Sequence, residues 1–138
     1  MGSQSVSSSG EIPLLTFNSL YNLLREEKKS KSLQHLPELF YEALDKFMFD
    51  KKSELVKLKS NSESPEKIRR ERNVLNNSKK IAMELLNLRL VKISNIAIKN
   101  EIFGDDVLSK DCILESEMVY FDSIVKATSK IKKGVDLK

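Results

Sequence analysis

Few side chains in this sequence could do chemistry, and most of those are cations. The one histidine, His35, stands before a candidate helix with no nucleophile or second ligand at a suggestive spacing. An imidazole there could serve as a general base, but an ordinary loop position is the expectation. The one cysteine, Cys112, has no cysteine or histidine companion, so a metal site is not expected, and a small buried thiol needs no function. The carboxylate pairs Glu38/Glu42 and Glu115/Glu117 raise the idea of a di-iron bundle. That site is built from Glu-x-x-His repeats on two helices, which this sequence does not contain. Its 4 glycines form no phosphate-cradling loop. No catalytic residue, metal ligand or cofactor site is therefore expected.

The charged residues that carry information lie in a long helical stretch, residues 65–100. From Val74 to Ile98, Leu75, Ile81, Ala82, Leu85, Leu86, Ile93 and Ile96 cover one broad apolar side, and Arg89 and Lys92 project from the middle of it. Such a helix must be packed by several neighbours, from its own chain or from another. An unpaired guanidinium between Leu85 and Ile93 would be expensive to bury, so Arg89 should find a carboxylate or helix-end carbonyls. Three roles are open to it: an internal or domain-edge pair with an acid such as Glu38, Glu42, Glu117 or Asp122, a subunit contact, or a phosphate contact. Lys92 can snorkel, which makes its burial less informative. The same stretch holds nine Lys and Arg against three Glu, most densely at Arg69, Arg70, Arg72, Lys79 and Lys80. Their angles scatter around the helix, which fits a solvated helix start better than a phosphate-tracking stripe. Weak contact with nucleic acid or an acidic partner is the alternative.

Glycine and proline are scarce, and no polar–apolar alternation runs long enough for a strand. The spacing predicts an all-α domain: a bundle of four main helices with a long central one. The first covers Phe17–Lys29, with Phe17, Leu20, Tyr21 and Leu24 on one face and a charged cluster at its end. The second opens with Pro37 in its first turn and runs to about Lys59, with Leu36, Phe40, Leu44, Phe47, Leu55 and Leu58 inward. Phe49 and Val56 fall on its outer side and are candidates for a partner surface. Ser60–Glu63 is a polar break. Ser64 as N-cap, Pro65 and Glu66 then start the third helix, which ends near Asn100. Phe103-Gly104-Asp105-Asp106 is the next break. The fourth helix occupies about Ile113–Lys133, with Leu114, Met118, Phe121, Ile124, Val125, Thr128 and Ile131 inward and Gly134 as its stop.

The 138 residues suffice for one domain, and a net charge of +4 is too small to declare a nucleic-acid binder. A single cysteine excludes an internal disulfide and fits an intracellular setting, cytoplasm or nucleoid, or the nucleus in a eukaryote. Nothing approaches the roughly 20 apolar residues of a membrane span. Residues 1–13 read as a disordered tail, in part a cloning remnant, and their first ten residues have no apolar segment of the signal-peptide kind.

Three segments in order carry a family resemblance. Leu23-Leu24-Arg25-Glu26-Glu27-Lys28-Lys29-Ser30 precedes Leu36-Pro37-Glu38-Leu39-Phe40-Tyr41. Ala82-Met83-Glu84-Leu85-Leu86-Asn87-Leu88-Arg89-Leu90-Val91-Lys92-Ile93 follows inside the long helix. Together they resemble the helical A domain of an archaeal GINS subunit, of the type in which the A domain comes first. Leu114-Glu115-Ser116-Glu117-Met118-Val119-Tyr120 is similar to the opening of that domain's last helix. The likeness covers residues 14–133, with 134–138 as the start of a linker. A β-rich B domain would follow in the family and is missing here, which the resemblance attributes to truncation or to a shortened paralogue. What the resemblance implies is a non-enzymatic replication scaffold. It would assemble with other GINS subunits, as a homo- or hetero-oligomer of tetramer type, and bridge the MCM helicase to a RecJ-like protein with weak or indirect DNA contact. Leu85, Arg89, Lys92, Ile93, Ile96, Met118 and Phe121 then become interface candidates beside Phe49 and Val56. Leu85→Asp or Phe121→Asp is expected to break the assembly while sparing helicity. The rival reading is a basic helical nucleic-acid-binding module acting through Arg69, Arg70 and Arg72.

Overall fold

A computed structural model of the chain describes residues 11–104 and 111–136. Among the described residues lie four α-helices and no strand: α1 (Phe17–Lys29), α2 (Phe40–Ser60), α3 (Pro65–Phe103) and α4 (Glu115–Gly134). The fold is all-α with one long helix, as the apolar spacing predicts. The linker expected at 134–138 is described as far as Asp136. The tail expected at 1–13 lies mostly outside the described residues, as do Asp105 and Asp106.

Local chemistry explains where each helix begins and ends. At the start of α1, Thr16 Oγ1 accepts the Ser19 N–H at 3.1 Å while Ser19 Oγ accepts the Thr16 N–H at 2.8 Å. This reciprocal box satisfies two backbone donors that the first turn would leave unpaired. The second helix departs from expectation. Pro37 does not open it; Glu38 and Leu39 form a turn and α2 starts at Phe40, because Leu39 sits at φ 60, a left-handed conformation no helical residue can hold. Its C-terminus is a Schellman motif: the Ser62 N–H donates to Lys59 O and the Glu63 N–H to Leu58 O. The left-handed position of that motif, usually glycine, is Ser62 at φ 55. Ser62→Gly is therefore expected to raise the unfolding free energy by about 0.5–1 kcal/mol, read as a higher urea midpoint at unchanged slope.

Ser64 does cap α3, its Oγ accepting the Lys67 N–H at 3.3 Å. The helix passes Asn100 and continues to Phe103, where Gly104 at φ +69 takes the backbone out of the helical path. At α4 the Glu117 side chain reaches back to accept the Leu114 N–H at 2.9 Å, the acidic half of a capping box.

The chain divides into two compact units, Met1–Arg25 with Pro37–Leu85, and Glu26–Leu36 with Leu86–Lys138. In the first, the buried residues are Leu15, Leu20 and Leu24, then Phe40, Ala43, Phe47 and Leu55 of α2, and Leu75, Ser78 and Leu85 of α3. Tyr21, expected on the inner face of α1, is exposed. Ser78 is buried without cost to its hydroxyl, which donates to Val74 O at 2.7 Å.

The second unit has a core cluster of Leu33, Ile93, Ala97, Ile113 and Phe121, with Ile96, Met118, Tyr120, Ile124 and Val125 packed against it. Ile131, expected inward, is exposed: it shares the face of Ile124, but the core cluster stops short of it. In this unit the polar pairs climb α3 and α4 in the same order. Arg89 meets Glu117, Ser94 Oγ lies 2.7 Å from Tyr120 Oη, and Lys132 Nζ donates to Glu101 O at 2.6 Å. The two helices therefore run in the same direction within it.

Candidate functional site: a buried cation–carboxylate network

Three segments of the chain each place one charged residue, itself in the second unit, on an otherwise apolar line. On α1 the line is Leu20, Leu24, Glu27; on α3 it is Leu85, Arg89, Ile93, Ala97; at α4 it is Ile113, Glu117, Phe121. Within the helices, steps of three and four keep each line on one face, so burying the apolar members buries the charged one too; Ile113 joins its line from just before α4. Arg89, Glu27 and Glu117 are all buried.

The guanidinium uses every proton it has. Arg89 Nε donates to Glu117 Oε2 at 2.7 Å, and Nη2 donates to Glu117 Oε1 at 2.8 Å and to Cys112 O at 2.9 Å. Nη1 donates to Glu27 Oε1 at 3.0 Å and to Gln34 O at 2.7 Å. Five N–H donors meet five acceptors, the condition under which a fully desolvated guanidinium is tolerated. Burial alone would make the charged form less favourable, but the paired hydrogen bond and charge of Glu117, joined by Glu27, outweigh it and hold the Arg89 pKa above its ordinary value.

Lys92 stands one turn further along α3 and works from the edge of the network. Its Nζ donates to Glu27 Oε2 at 2.7 Å and to the carbonyls of Glu27, Ser30 and Ser32 at 2.6, 2.9 and 3.0 Å. The Glu27 carbonyl lies in the last turn of α1, where the helix leaves its final oxygens unpaired and its dipole favours a cation; those of Ser30 and Ser32 follow just past its end. Glu27 completes the circuit by accepting the Gln34 N–H at 3.1 Å. Two cations and two carboxylates thus form a charge-neutral knot binding the end of α1, the 30–36 connection, α3, the turn at Cys112 and the start of α4.

Among the sequence expectations, Glu117 is a partner of Arg89, whereas Glu38, Glu42 and Asp122 are exposed and take no part. Glu27 was missed. Its place three residues after Leu24 on the apolar line of α1 was the signal, hidden by the run of charges around it. Leu85, Arg89, Ile93 and Phe121 are covered by their own chain, so they have no free surface to offer a partner. Ile96 and Met118 are half-buried against the core cluster. Phe49 and Val56 are exposed, at 67% and 65%, and one heptad apart on the same side of α2. Arg69, Arg70 and Arg72 are exposed at the start of α3, in the other unit from the network.

The carboxylates of the network are buried and held by cations and backbone donors. His35 is exposed, and among the described residues no group of three or more His, Cys, Asp and Glu gathers where it could hold a metal ion. Burial pushes the Cys112 thiol upward, an effect that Asp111 and Glu27 reinforce and Arg89 opposes, so thiolate is scarce at neutral pH. No described helix is long and apolar enough to cross a membrane. No family model, curated protein or solved structure matches this chain.

Proposed function

We propose that this chain is a non-enzymatic structural subunit of a GINS-type DNA replication complex, an oligomerising scaffold that bridges an MCM helicase and a RecJ-like partner. The ordered motifs of α1, α2 and α3 and the all-α fold with its long helix support the reading. The observation that carries it is the outer side of α3. Arg89, Ile93 and Ala97 face inward, and on the opposite side Val91, Ile98 and Ile102 remain 52%, 37% and 47% exposed. These three positions repeat at seven and four residues, the spacing with which one helix presents a seam to another. An apolar stripe of this kind on a helix already packed on its other face marks an interaction surface. On this reading the seam consists of these exposed residues, and the buried Leu85 and Ile93 of the same helix are not part of it.

The expected result in light scattering or sedimentation is an oligomeric mass, for the chain alone or mixed with candidate sister subunits. Val91→Asp with Ile98→Asp should reduce it to the monomer mass at unchanged helical circular dichroism. A monomer at high concentration that also fails to join any sister subunit would end the proposal.

One observation favours a second reading, the basic nucleic-acid-binding module. Arg69, Arg70 and Arg72 are all exposed and make no ion pair among the described residues. On that reading DNA affinity falls steeply with salt, and the slope flattens when the three are replaced by alanine.

A further inference from the structure

In the second unit a recess of about 230 Å³ opens between the 30–33 connection and one face of α3. It is lined by Lys31, Ser32 and Leu33, and by Lys92, Asn95, Ile96 and Lys99, which repeat at i, i+3, i+4 and i+7. No carboxylate lines it. The Lys92 ammonium is already committed to Glu27 and three carbonyls, so that residue contributes mainly its aliphatic stem. Lys31 and Lys99 are different: both are exposed, and neither has an ion-pair or hydrogen-bond partner among the described residues. The recess therefore has an apolar floor, Leu33 and Ile96, beneath a rim carrying two positive charges unpaired among the described residues, and an exposed amide.

We propose that this recess is a docking site for an acidic segment of a partner protein, one apolar side chain seated on Leu33 and Ile96 and a flanking carboxylate held between Lys31 and Lys99. Size, floor and rim each narrow the occupant. The volume accommodates one large apolar side chain and little more. Nucleic acid is the poorer match, since the lining has no aromatic ring to stack on a base and no arginine fork for a phosphate. A bare inorganic anion would leave the apolar floor unused. The site goes beyond the scaffold reading and does not need it: the mass measurement tests assembly through the outer side of α3, whereas this recess is read by its own ligand.

The test is amide chemical-shift titration of the full chain with a synthetic peptide, acetyl-Glu-Asp-Leu-Phe-Asp-Glu-amide. Comparison ligands are the same peptide with Gln and Asn for its acids, inorganic phosphate, and an oligothymidylate. The acidic peptide should move the amides of residues 31–33 and 92–99. The doubly charge-reversed variant Lys31→Glu/Lys99→Glu, whose altered side chains are exposed and whose fold is checked by circular dichroism, should bind it about tenfold or more weakly. The neutral peptide should lose affinity to a similar degree. The proposal is overturned if these amides stay still, if the variant binds as well as the parent, or if phosphate or the oligothymidylate gives the same shifts at equal affinity. Shifts at these amides that change with protein concentration alone would also overturn it, since a second copy would then cover the recess.

Discussion

Arg89→Met should lower the unfolding free energy by about 3–5 kcal/mol, the cost of stripping the cation from a buried pair. The methionine fills similar space, so the deficit is electrostatic and not a cavity. The loss falls unevenly on the two carboxylates. Glu27 keeps Lys92 at 2.7 Å and the Gln34 N–H, whereas Glu117 keeps the Leu114 N–H and loses both bonds of its bidentate pair. Adding Glu117→Gln to Arg89→Met should accordingly recover part of the loss, because losing the bidentate guanidinium costs a buried amide far less than a buried carboxylate, and the amide can still accept from Leu114. The double variant must come out more stable than the sum of the two single changes, measured as urea midpoints in a double-mutant cycle. Arg89→Lys should lie between parent and Met variant: the charge survives, but an ammonium has three donors for five acceptors and no bidentate geometry. A deficit below about 1 kcal/mol for Arg89→Met would mean that the knot behaves like a solvated surface pair.

Phe121→Ala should cost about 3–5 kcal/mol, the range for deleting a buried aromatic ring whose surroundings cannot fully collapse into the space. The ring packs in the cluster of Leu33, Ile93, Ala97 and Ile113, drawn from α3, the 30–36 connection and the approach to α4. The hydrogen bonds of the Arg89 network, which tie these same segments, limit how far they can close the gap. Phe121→Asp should be worse, placing an unpaired carboxylate in that space, and its helical circular dichroism should drop at moderate temperature. This reverses the expectation from sequence, where an acid at Leu85 or Phe121 was to dissociate subunits and spare the helices. Val91→Asp is the informative contrast, since it changes only the exposed side of α3. If Phe121→Asp keeps full helicity while losing mass, the ring belongs to an interface and the burial argument fails.

Much of the architecture was legible residue by residue. Thirteen residues of α1 came out at the expected bounds, and the Ser64-Pro65-Glu66 start of α3 is capped as its chemistry dictates. Apolar spacing located the inner positions Leu20, Leu24, Phe40, Phe47, Leu55, Leu75, Leu85, Ile93 and Phe121. It failed where backbone geometry outweighed side-chain type: Pro37 looked like a helix opener, but Leu39 adopts a left-handed turn that postpones α2 to Phe40. It also overstated the breadth of the buried arc on α3. Leu86 is exposed, and the other apolar residues left uncovered, Met83, Val91, Ile98, Ile102 and Phe103, are set by which neighbours the chain supplies.

The order of apolar, polar and capping residues by itself determined that the chain is helical, where its helices lie, and that Arg89 must be paired if buried. Those are consequences of local periodicity and of the cost of an unsatisfied charge, both written into a single helix. Only the tertiary structure decided which acids do the pairing. Glu27 lies 62 positions from Arg89 and Glu117 lies 28, and nothing local distinguishes them from Glu38, Glu42 or Asp122. Their selection depends on three helical lines converging at one place, which is a property of packing in space and leaves no period in the sequence.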